Sequence, residues 1–145
     1  MSTQSFVGKR SVLFLCTGNS CRSQMAEALV NYFLKDEWHA YSAGIVPAGY
    51  VHPLAIKVLQ ELGVEHHGYS KSVDDYIGKE FDRVITMCTG ASLNCPVWLG
   101  KGLKEHIGFY DPTQMVGSLE LRIQAFRNVR DEMLQKIVDH LRSGS

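Results

Sequence analysis

The chain has 145 residues, of which 45% are hydrophobic and 21% are charged, and its formal net charge is zero at pH 7. This length is typical of one domain with one core, and the balanced charge argues against binding to nucleic acid or to a membrane surface. The apolar run near the amino terminus is too short for a signal peptide or a transmembrane helix, so we expect a cytoplasmic protein. We predict one domain over residues 1–145, a monomer, with a loose leader at 1–9 and a tail at 143–145.

Strand and helix patterns alternate along the chain. The predicted strands are residues 10–15, 38–42, 81–87 and 105–109. The predicted helices are residues 23–34, 53–62 and 119–141, with a short one at 73–77. This order indicates a flavodoxin-like α/β fold, a three-layer sandwich with a four-stranded parallel sheet and helices on both faces.

Helical spacing also predicts which side chains pack against the sheet. In the first helix these are Met25, Ala28, Leu29, Tyr32 and Phe33. In the last helix they are Ile123, Phe126, Val129, Met133 and Ile137. Ser118 is predicted to cap the last helix, and Pro53 suits the first turn of the helix that it begins. We interpret both apolar sets as core.

The loop between the first strand and the first helix is the most informative stretch. This Cys16 loop consists of Cys16, Thr17, Gly18, Asn19, Ser20, Cys21, Arg22 and Ser23. Its N–H groups can converge on one centre, and Gly18 and Asn19 tolerate the backbone angles that such a nest requires.

The chemistry of the Cys16 loop follows from its charges. The converging N–H groups, the dipole of the following helix and the Arg22 guanidinium all favour negative charge, so we expect Cys16 as a thiolate and a tetrahedral oxyanion bound above it. A buried structural cysteine beside a surface arginine is the alternative interpretation. The preceding strand, Gly18 and Ser23 favour the functional one.

Two further candidates follow other predicted strands. Cys88 ends the third strand as Cys16 ends the first, and Asp111 lies beside Pro112 just past the fourth. The carboxyl ends of parallel strands share one edge of the sheet, so we expect these residues to meet there. Asp111 is a candidate general acid for a leaving oxygen, although Asp-Pro is also common in ordinary turns. We assign Cys21 to packing.

Cys88 and Cys95 are separated by six residues, and their spacing bears on the chemistry. It does not match the tighter spacing usual for structural zinc, and the six histidines supply no matching pair, so we expect no metal site. A redox relay fits better, because one thiol can attack an adduct on Cys16 and a second can resolve the resulting disulfide. Two unrelated buried cysteines remain the alternative.

Several stretches together carry a resemblance to a known family. They are Cys16-Thr-Gly-Asn-Ser-Cys-Arg-Ser-Gln-Met-Ala-Glu27, Tyr41-Ser-Ala-Gly44, the Cys88 and Cys95 pair, Asp111-Pro112 and Phe126-Arg-Asn-Val-Arg-Asp-Glu132. With them the chain resembles, over about residues 10–140, the arsenate reductases built on the low-molecular-weight protein tyrosine phosphatase fold. The first stretch and the cysteine pair are the specific ones.

The resemblance implies a role for each matched residue. Cys16 would attack arsenate, Cys88 would attack the arseno adduct and release arsenite, and Cys95 would complete a disulfide presented to thioredoxin. Arg22 would bind the oxyanion. Ser23 would stabilise the thiolate through its hydroxyl group, and Asp111 would supply the acid. No organic cofactor is implied, only an external dithiol.

The chain also departs from family patterns. Related phosphatases usually carry tyrosines directly after Asp-Pro, whereas this chain has Thr113, Gln114 and Met115. This argues against an aromatic phosphoester as the substrate. Some of the reductases bind potassium near residues matching Asn19, Glu27, Ser42 and an aspartate. Ser72 stands at the position of the aspartate, with Asp74 and Asp75 nearby, which argues against the ion.

Two other functions use the same residues. A low-molecular-weight phosphatase would need only Cys16, Arg22 and Asp111, with water as the second nucleophile. A non-catalytic thiol sensor would use the cysteines without needing Arg22 and Asp111 at one edge.

Overall fold

The computed structural model describes residues 9–88 and 98–142. The predictions for residues 1–8, for Cys95 and for the tail at 143–145 lie outside the described residues.

Four parallel strands form one sheet in the order β2-β1-β3-β4. The strands are β1 (Arg10–Cys16), β2 (Trp38–Gly44), β3 (Arg83–Thr86) and β4 (Leu103–His106). The strand order reverses between β1 and β3, where flavodoxin-like sheets bind their ligands. The predicted flavodoxin-like fold class is therefore confirmed.

The helices follow the predicted order along the chain. They are α1 (Arg22–Phe33), α2 (Pro53–Gln60), α3 (Leu119–Met133) and α4 (Asp139–Arg142), with 3-10 turns at Val73–Tyr76 and Pro112–Gln114 and a π-helical turn at Leu134–Val138. The Ser118 hydroxyl accepts from the Leu121 N–H at 3.2 Å, which confirms the predicted cap. Among the helices in the described ranges, none has the length and apolar character needed to cross a bilayer.

Central strand β1 separates two hydrophobic clusters. Val12 and Phe14 point into the larger cluster, which the four helices cover. Leu13 and Leu15 point into the smaller one, together with Tyr76 from the 3-10 turn Val73–Tyr76 and Trp98. Because residues 12–15 have no exposed surface, β1 is fixed on both faces and holds Cys16 in place at its carboxyl end.

The structure corrects three details of the prediction. Strand β4 begins two residues earlier than expected, at Leu103, because an edge strand with one neighbour can pair through polar residues and needs no apolar run. Tyr32 and Phe33 were assigned to the core but are 49% and 38% exposed. They stand at the last turn of α1, where the two rings pack edge to face against each other at 4.9 Å.

Candidate active site

The Cys16 loop lies at the carboxyl edge of the sheet, between the end of β1 and the start of α1. Cys16 is the last residue of β1 and only 3% exposed, and Arg22 is the first residue of α1. The amino-terminal end of a twelve-residue helix, with its N–H groups and positive dipole end, therefore adjoins the thiol.

The carbonyl groups of the Cys16 loop are held on its outer side. The N–H groups of Val46, Ala48 and His52 donate to the carbonyl oxygens of Thr17, Gly18 and Ser20 at 3.0, 2.9 and 2.8 Å. In a trans peptide the N–H points opposite to its carbonyl, so the next N–H in each case turns away from residues 46–52. This arrangement directs the N–H groups of Gly18, Asn19 and Cys21 to the opposite, inner side, as an oxyanion site requires.

One residue of the loop has a left-handed backbone conformation. Asn19 has φ of +49°, and it is the one non-glycine residue with positive φ in the described parts of the chain. Gly18 does not have positive φ, and a methyl group built on it meets its nearest atoms at 3.9 Å. Of the two residues expected to tolerate the backbone angles of a nest, Asn19 adopts the left-handed region, which an asparagine tolerates, and Gly18 does not.

A line of hydrogen bonds runs from Lys71 to the Cys16 sulfur. The Lys71 N–H donates to Asn19 Oδ1 at 2.7 Å, and Asn19 Nδ2 donates to Ser23 Oγ at 2.8 Å. Ser23 Oγ lies 2.8 Å from Cys16 Sγ. The Ser23 hydroxyl group can accept from Asn19 and donate its own hydrogen to a thiolate at Cys16, a contact that would stabilise the negative charge on the sulfur.

Gln24 also holds Asn19 in place through hydrogen bonds. Its Nε2 donates to Asn19 Oδ1 at 2.9 Å and to the Tyr69 carbonyl at 2.8 Å, and its Oε1 lies 2.6 Å from His66 Nε2. The carboxamide oxygen can only accept, so His66 donates. Burial lowers the pKa of His66, which favours the neutral ring with hydrogen on Nε2. Sequence reasoning missed Gln24 and His66, because only the fold brings residues 19, 24, 66 and 69 together.

Arg22 is anchored across the mouth of the loop. It is 9% exposed, and its Nη1 donates to the carbonyl oxygens of Phe109 at 3.2 Å and Met87 at 3.4 Å. Its Nη2 lies 3.5 Å from Asp111 Oδ2. Carbonyls that follow β3 and β4 therefore orient the guanidinium group, and the predicted meeting of Arg22 and Asp111 at one sheet edge is confirmed.

Asp111 caps a turn with one oxygen and faces Arg22 with the other. Its Oδ1 accepts from the N–H of Thr113 at 3.0 Å and from its hydroxyl at 2.7 Å, which caps the turn Pro112–Gln114. Its Oδ2 faces Arg22, and the side chain is 27% exposed. The turn thus fixes one oxygen and leaves the other directed to the site, where it could exchange a proton with a bound oxyanion.

Cys88 lies beside Cys16 at the neighbouring strand end. Leu15 pairs with Thr86, and the Met87 N–H donates to the Leu15 carbonyl at 2.9 Å, so the parallel pairing continues past β3. Cys88 is 1% exposed. Cys16 is the last residue of β1 and Cys88 is the second residue past β3, so both lie at the carboxyl edge of the sheet. Both residues are reduced thiols, and Cys95 lies outside the described residues.

Cys21 is buried in the larger hydrophobic cluster, 5% exposed. Burial raises the pKa of the Cys21 thiol well above its usual value, and the charges of Asp111 and Cys16 add to this effect. The thiol form at neutral pH agrees with the packing role predicted for this cysteine, so its contribution to the Cys16 loop is its backbone.

Gly44 is a further residue whose importance sequence reasoning did not identify. A methyl group built on it would lie 2.6 Å from the Thr17 carbonyl oxygen and 2.9 Å from the Asn19 nitrogen. Its N–H donates to the Lys71 carbonyl at 2.9 Å. The absence of a side chain at Gly44 therefore lets β2 pass directly behind the Cys16 loop. The Tyr41-Ser-Ala-Gly44 motif was the available signal.

The potassium ion suggested by the resemblance would lie near Asn19, Glu27 and Ser42. These oxygens already have other partners: Ser42 Oγ donates to Glu27 Oε1 at 2.5 Å, and Asn19 Oδ1 accepts from Lys71 and Gln24. The Lys71 ammonium group lies 3.5 Å from Glu27 Oε1 and supplies the positive charge there. The residues present do not fit a separate cation.

Comparisons with known proteins agree with this geometry. Residues 11–143 match the family described as low molecular weight phosphotyrosine protein phosphatase. The chain is 40% identical over 139 residues to the arsenate reductase of Halalkalibacterium halodurans, covering 95% of this chain and 99% of that protein.

Solved structures of arsenate reductases share the fold. One, described as an arsenate reductase in the phosphate binding state, is similar with a TM-score of 0.78 and 26% identity, covering 94% of this chain and 99% of that one. The thioredoxin-dependent arsenate reductase of Corynebacterium glutamicum has a TM-score of 0.59 and 30% identity, covering 90% of this chain and 62% of that one. The chain belongs to the low molecular weight phosphotyrosine protein phosphatase family, in which the relatives named above are arsenate reductases.

Proposed function

We propose that this protein reduces arsenate to arsenite, with Cys16 as the nucleophile and with Cys88 and Cys95 as the thiols that become oxidised. The carrying observation is the position of Cys88, a reduced and buried thiol at the strand end next to Cys16. A hydrolytic enzyme has no use for that thiol. The names of the relatives support the same reaction.

In the first step the Cys16 thiolate attacks the arsenic atom of bound arsenate. The inward N–H groups of the Cys16 loop and the Arg22 guanidinium hold the oxyanion and stabilise its negative charge. Asp111 donates a proton to the departing oxygen, which leaves as water. The product is a covalent adduct with a bond between Cys16 Sγ and arsenic(V), and Ser23 stabilises the thiolate before attack.

In the second step Cys88 attacks the sulfur of the Cys16 adduct. The sulfur–arsenic bond breaks, its electron pair stays with arsenic, and arsenite leaves as arsenic(III). The two cysteines are then joined by a disulfide. In the third step the Cys95 thiolate attacks Cys88, which gives a Cys88–Cys95 disulfide and returns Cys16 as a thiolate.

An external dithiol completes the cycle by reducing the Cys88–Cys95 disulfide. We propose thioredoxin as this donor, supported by the thioredoxin-dependent relative from Corynebacterium glutamicum. A transient, catalytic disulfide of this kind is typical of a reducing compartment, which supports a cytoplasmic location.

Phosphate ester hydrolysis is the second candidate function, and the Cys16 loop and the family favour it. A phosphoenzyme on Cys16 requires Arg22 and Asp111, both in place, but neither Cys88 nor Cys95. Slow hydrolysis of aryl phosphates is therefore expected alongside arsenate reduction.

Two substitutions separate the candidate functions. Cys88→Ser and Cys95→Ser should each abolish arsenate turnover with thioredoxin while leaving aryl phosphate hydrolysis at its wild-type rate, which serves as the internal control for folding. Mass spectrometry after one equivalent of arsenate should find a Cys88–Cys95 disulfide in the wild-type protein. Retained arsenate turnover in Cys88→Ser would overturn the relay.

The sensor hypothesis is tested at a different residue. An enzyme that binds a tetrahedral oxyanion needs the anchored guanidinium group, so Arg22→Ala should abolish phosphate binding and arsenate turnover. A protein that only senses arsenite or oxidation through its thiols would be unaffected by this change.

A further inference from the structure

Lys71 is a lysine in an unusual environment. Its side chain is 8% exposed, its Nζ lies 3.5 Å from Glu27 Oε1, and the Glu27 side chain is 15% exposed. Nζ also donates to the Tyr69 carbonyl at 2.8 Å and lies 4.8 Å from the centre of the Tyr69 ring. A lysine is rarely buried, because its charge loses hydration, unless a partner compensates for that loss.

The backbone of the same residue supports the Cys16 loop. The Lys71 N–H donates to Asn19 Oδ1 at 2.7 Å, and its carbonyl accepts from the Gly44 N–H at 2.9 Å. Asn19 in turn positions Ser23 against the Cys16 sulfur. The ammonium group that contacts Glu27 and the N–H group that donates to Asn19 therefore belong to the same residue. A change in how the Lys71 side chain is held is expected to shift the N–H group that orients Asn19.

The Glu27 carboxylate, which is the partner of the Lys71 ammonium group, is held by two neighbouring elements. Glu27 stands on α1, five residues after the helix begins at Arg22, and Ser42 of β2 donates to it at 2.5 Å. The ammonium group of Lys71 thus ties the segment of residues 69–72 to α1 through Glu27, and the backbone of Lys71 ties it to β2 through Gly44. Without that positive charge, Glu27 would be a largely buried carboxylate with no cation beside it, a costly state.

We propose that the Lys71 ammonium group is the resident cation beside the Cys16 loop, that it positions Asn19 for oxyanion binding, and that this chain therefore has no need of a potassium ion there. Lys71 acts through Asn19 and is a positioning residue. The inference deepens the proposed function, because it concerns the same oxyanion site, but it requires only that the site binds phosphate.

The test uses Lys71→Met, which keeps the length of the side chain and removes its charge, with Lys71→Arg as the conservative variant. Lys57→Met, on the exposed face of α2, is the matched control. Phosphate affinity is measured by calorimetry and the melting temperature by circular dichroism, each in KCl and in NaCl at equal ionic strength. Neither phosphate affinity nor melting temperature depends on arsenate turnover. The role of Lys71 can therefore be tested even if the protein does not reduce arsenate.

Lys71→Met should weaken phosphate binding by roughly tenfold or more and lower the melting temperature by about 5 to 10 °C. Lys71→Arg should retain phosphate affinity close to that of the wild-type protein, and Lys57→Met should match the wild-type protein in both measurements. The wild-type protein should give the same phosphate affinity and melting temperature in KCl as in NaCl.

Three results would overturn the proposal. The first is that Lys71→Met binds phosphate with unchanged affinity, whether or not its melting temperature falls. The second is that Lys71→Arg binds phosphate as weakly as Lys71→Met does. The third is that the wild-type protein binds phosphate more tightly in KCl than in NaCl. If Lys71→Met fails to fold, the double variant Glu27→Gln/Lys71→Met replaces it. With both charges gone it should fold, and failure of that double variant to fold would also contradict the proposal.

Discussion

The Oγ atom of Ser23 lies 2.8 Å from the Sγ atom of Cys16 and receives a hydrogen bond from Asn19 Nδ2 at 2.8 Å. Both contacts are buried. The hydroxyl group can accept from Asn19 and at the same time donate its hydrogen to a thiolate at Cys16. Removal of this single hydroxyl group should therefore reduce the reactivity of Cys16 without disturbing the fold.

Ser23→Ala should lower the rate of Cys16 alkylation by iodoacetamide at neutral pH by roughly tenfold to a hundredfold, because a hydrogen bond to a charged group is worth about 1.5 to 3 kcal/mol. Peptide mapping assigns the alkylation to Cys16. The first covalent step with arsenate should slow by a similar factor.

A distant serine supplies the control for this prediction. Ser118→Ala removes the cap of α3 and should lower the free energy of unfolding by about 1 kcal/mol, while Cys16 alkylation keeps its wild-type rate. Equal alkylation rates in Ser23→Ala and the wild-type protein would show that the hydroxyl contact does not activate the thiol.

Asp111→Asn should lower arsenate turnover by about a hundredfold and leave phosphate affinity almost unchanged. The amide oxygen can still accept from Thr113 and cap the turn Pro112–Gln114, so the turn is kept, while the proton-donating oxygen and its ion pair with Arg22 are lost. Thr113→Val, which removes the hydroxyl partner of Asp111 and keeps its carboxylate, should retain most of the turnover. A turnover loss in Thr113→Val as large as in Asp111→Asn would point to the turn and not to the acid.

Gly44→Ala should displace the Cys16 loop, because its new methyl group would stand 2.6 Å from the Thr17 carbonyl oxygen. We expect the free energy of unfolding to fall by about 2 kcal/mol, and phosphate affinity to fall with it. Gly18→Ala is the contrast: its methyl group meets atoms only at 3.9 Å or beyond, and stability should change by less than about 1 kcal/mol. Urea denaturation of Gly44→Ala, Gly18→Ala and the wild-type protein gives the free energies of unfolding to be compared.

The Glu61 carboxylate carries a pH-dependent part of the stability. Hydrogen bonds from Arg127, at 2.8 to 3.2 Å, and from Arg130, at 2.8 Å, lower the pKa of Glu61 to about 2. Its pKa is lower in the folded state than in the unfolded state, so the stabilisation is complete above the unfolded pKa and disappears as the pH falls through the folded pKa. Glu61→Gln should destabilise the protein by about 1 kcal/mol at neutral pH.

The difference between wild-type protein and Glu61→Gln should narrow between about pH 5 and pH 2, as urea denaturation at several pH values would show. Glu80→Gln is the control, because the Glu80–Lys101 pair is 3.6 Å apart with both side chains at least 70% exposed. A constant difference across this pH range would contradict the assignment to the Glu61 cluster.

The fold and the positions of the candidate site residues could be predicted because local signals specify them. The apolar run of β1 and the loop that follows it are adjacent in sequence. Serine is a residue type that favours the N-cap, as at Ser118, and proline favours the first turn of a helix, as at Pro53. The meeting of Arg22 and Asp111 followed from one topological rule, that parallel strands end at the same edge of the sheet.

The supporting residues could not be predicted from the sequence in this way. Lys71 contacts Asn19, and Gln24 contacts the Tyr69 carbonyl, only because residues 69–72 run alongside Gly44, and that approach depends on the assembled sheet. Tyr32 and Phe33 were misplaced for a related reason. Helical spacing gives the direction of a side chain but not whether a neighbouring element reaches far enough to cover it.

The outer hydrogen bonds of the Cys16 loop determine how an oxyanion is selected. The carbonyls of Thr17, Gly18 and Ser20 are tied to residues 46–52, so the chain loses its conformational entropy there during folding and the receptor is preorganised before ligand arrives. A rigid receptor of N–H groups selects a ligand by its negative charge and tetrahedral shape, and arsenate and phosphate share both properties. Discrimination between arsenic and phosphorus is consequently left to the chemistry after binding: in the proposed relay, arsenic keeps the electron pair of the sulfur–arsenic bond when Cys88 attacks the Cys16 sulfur.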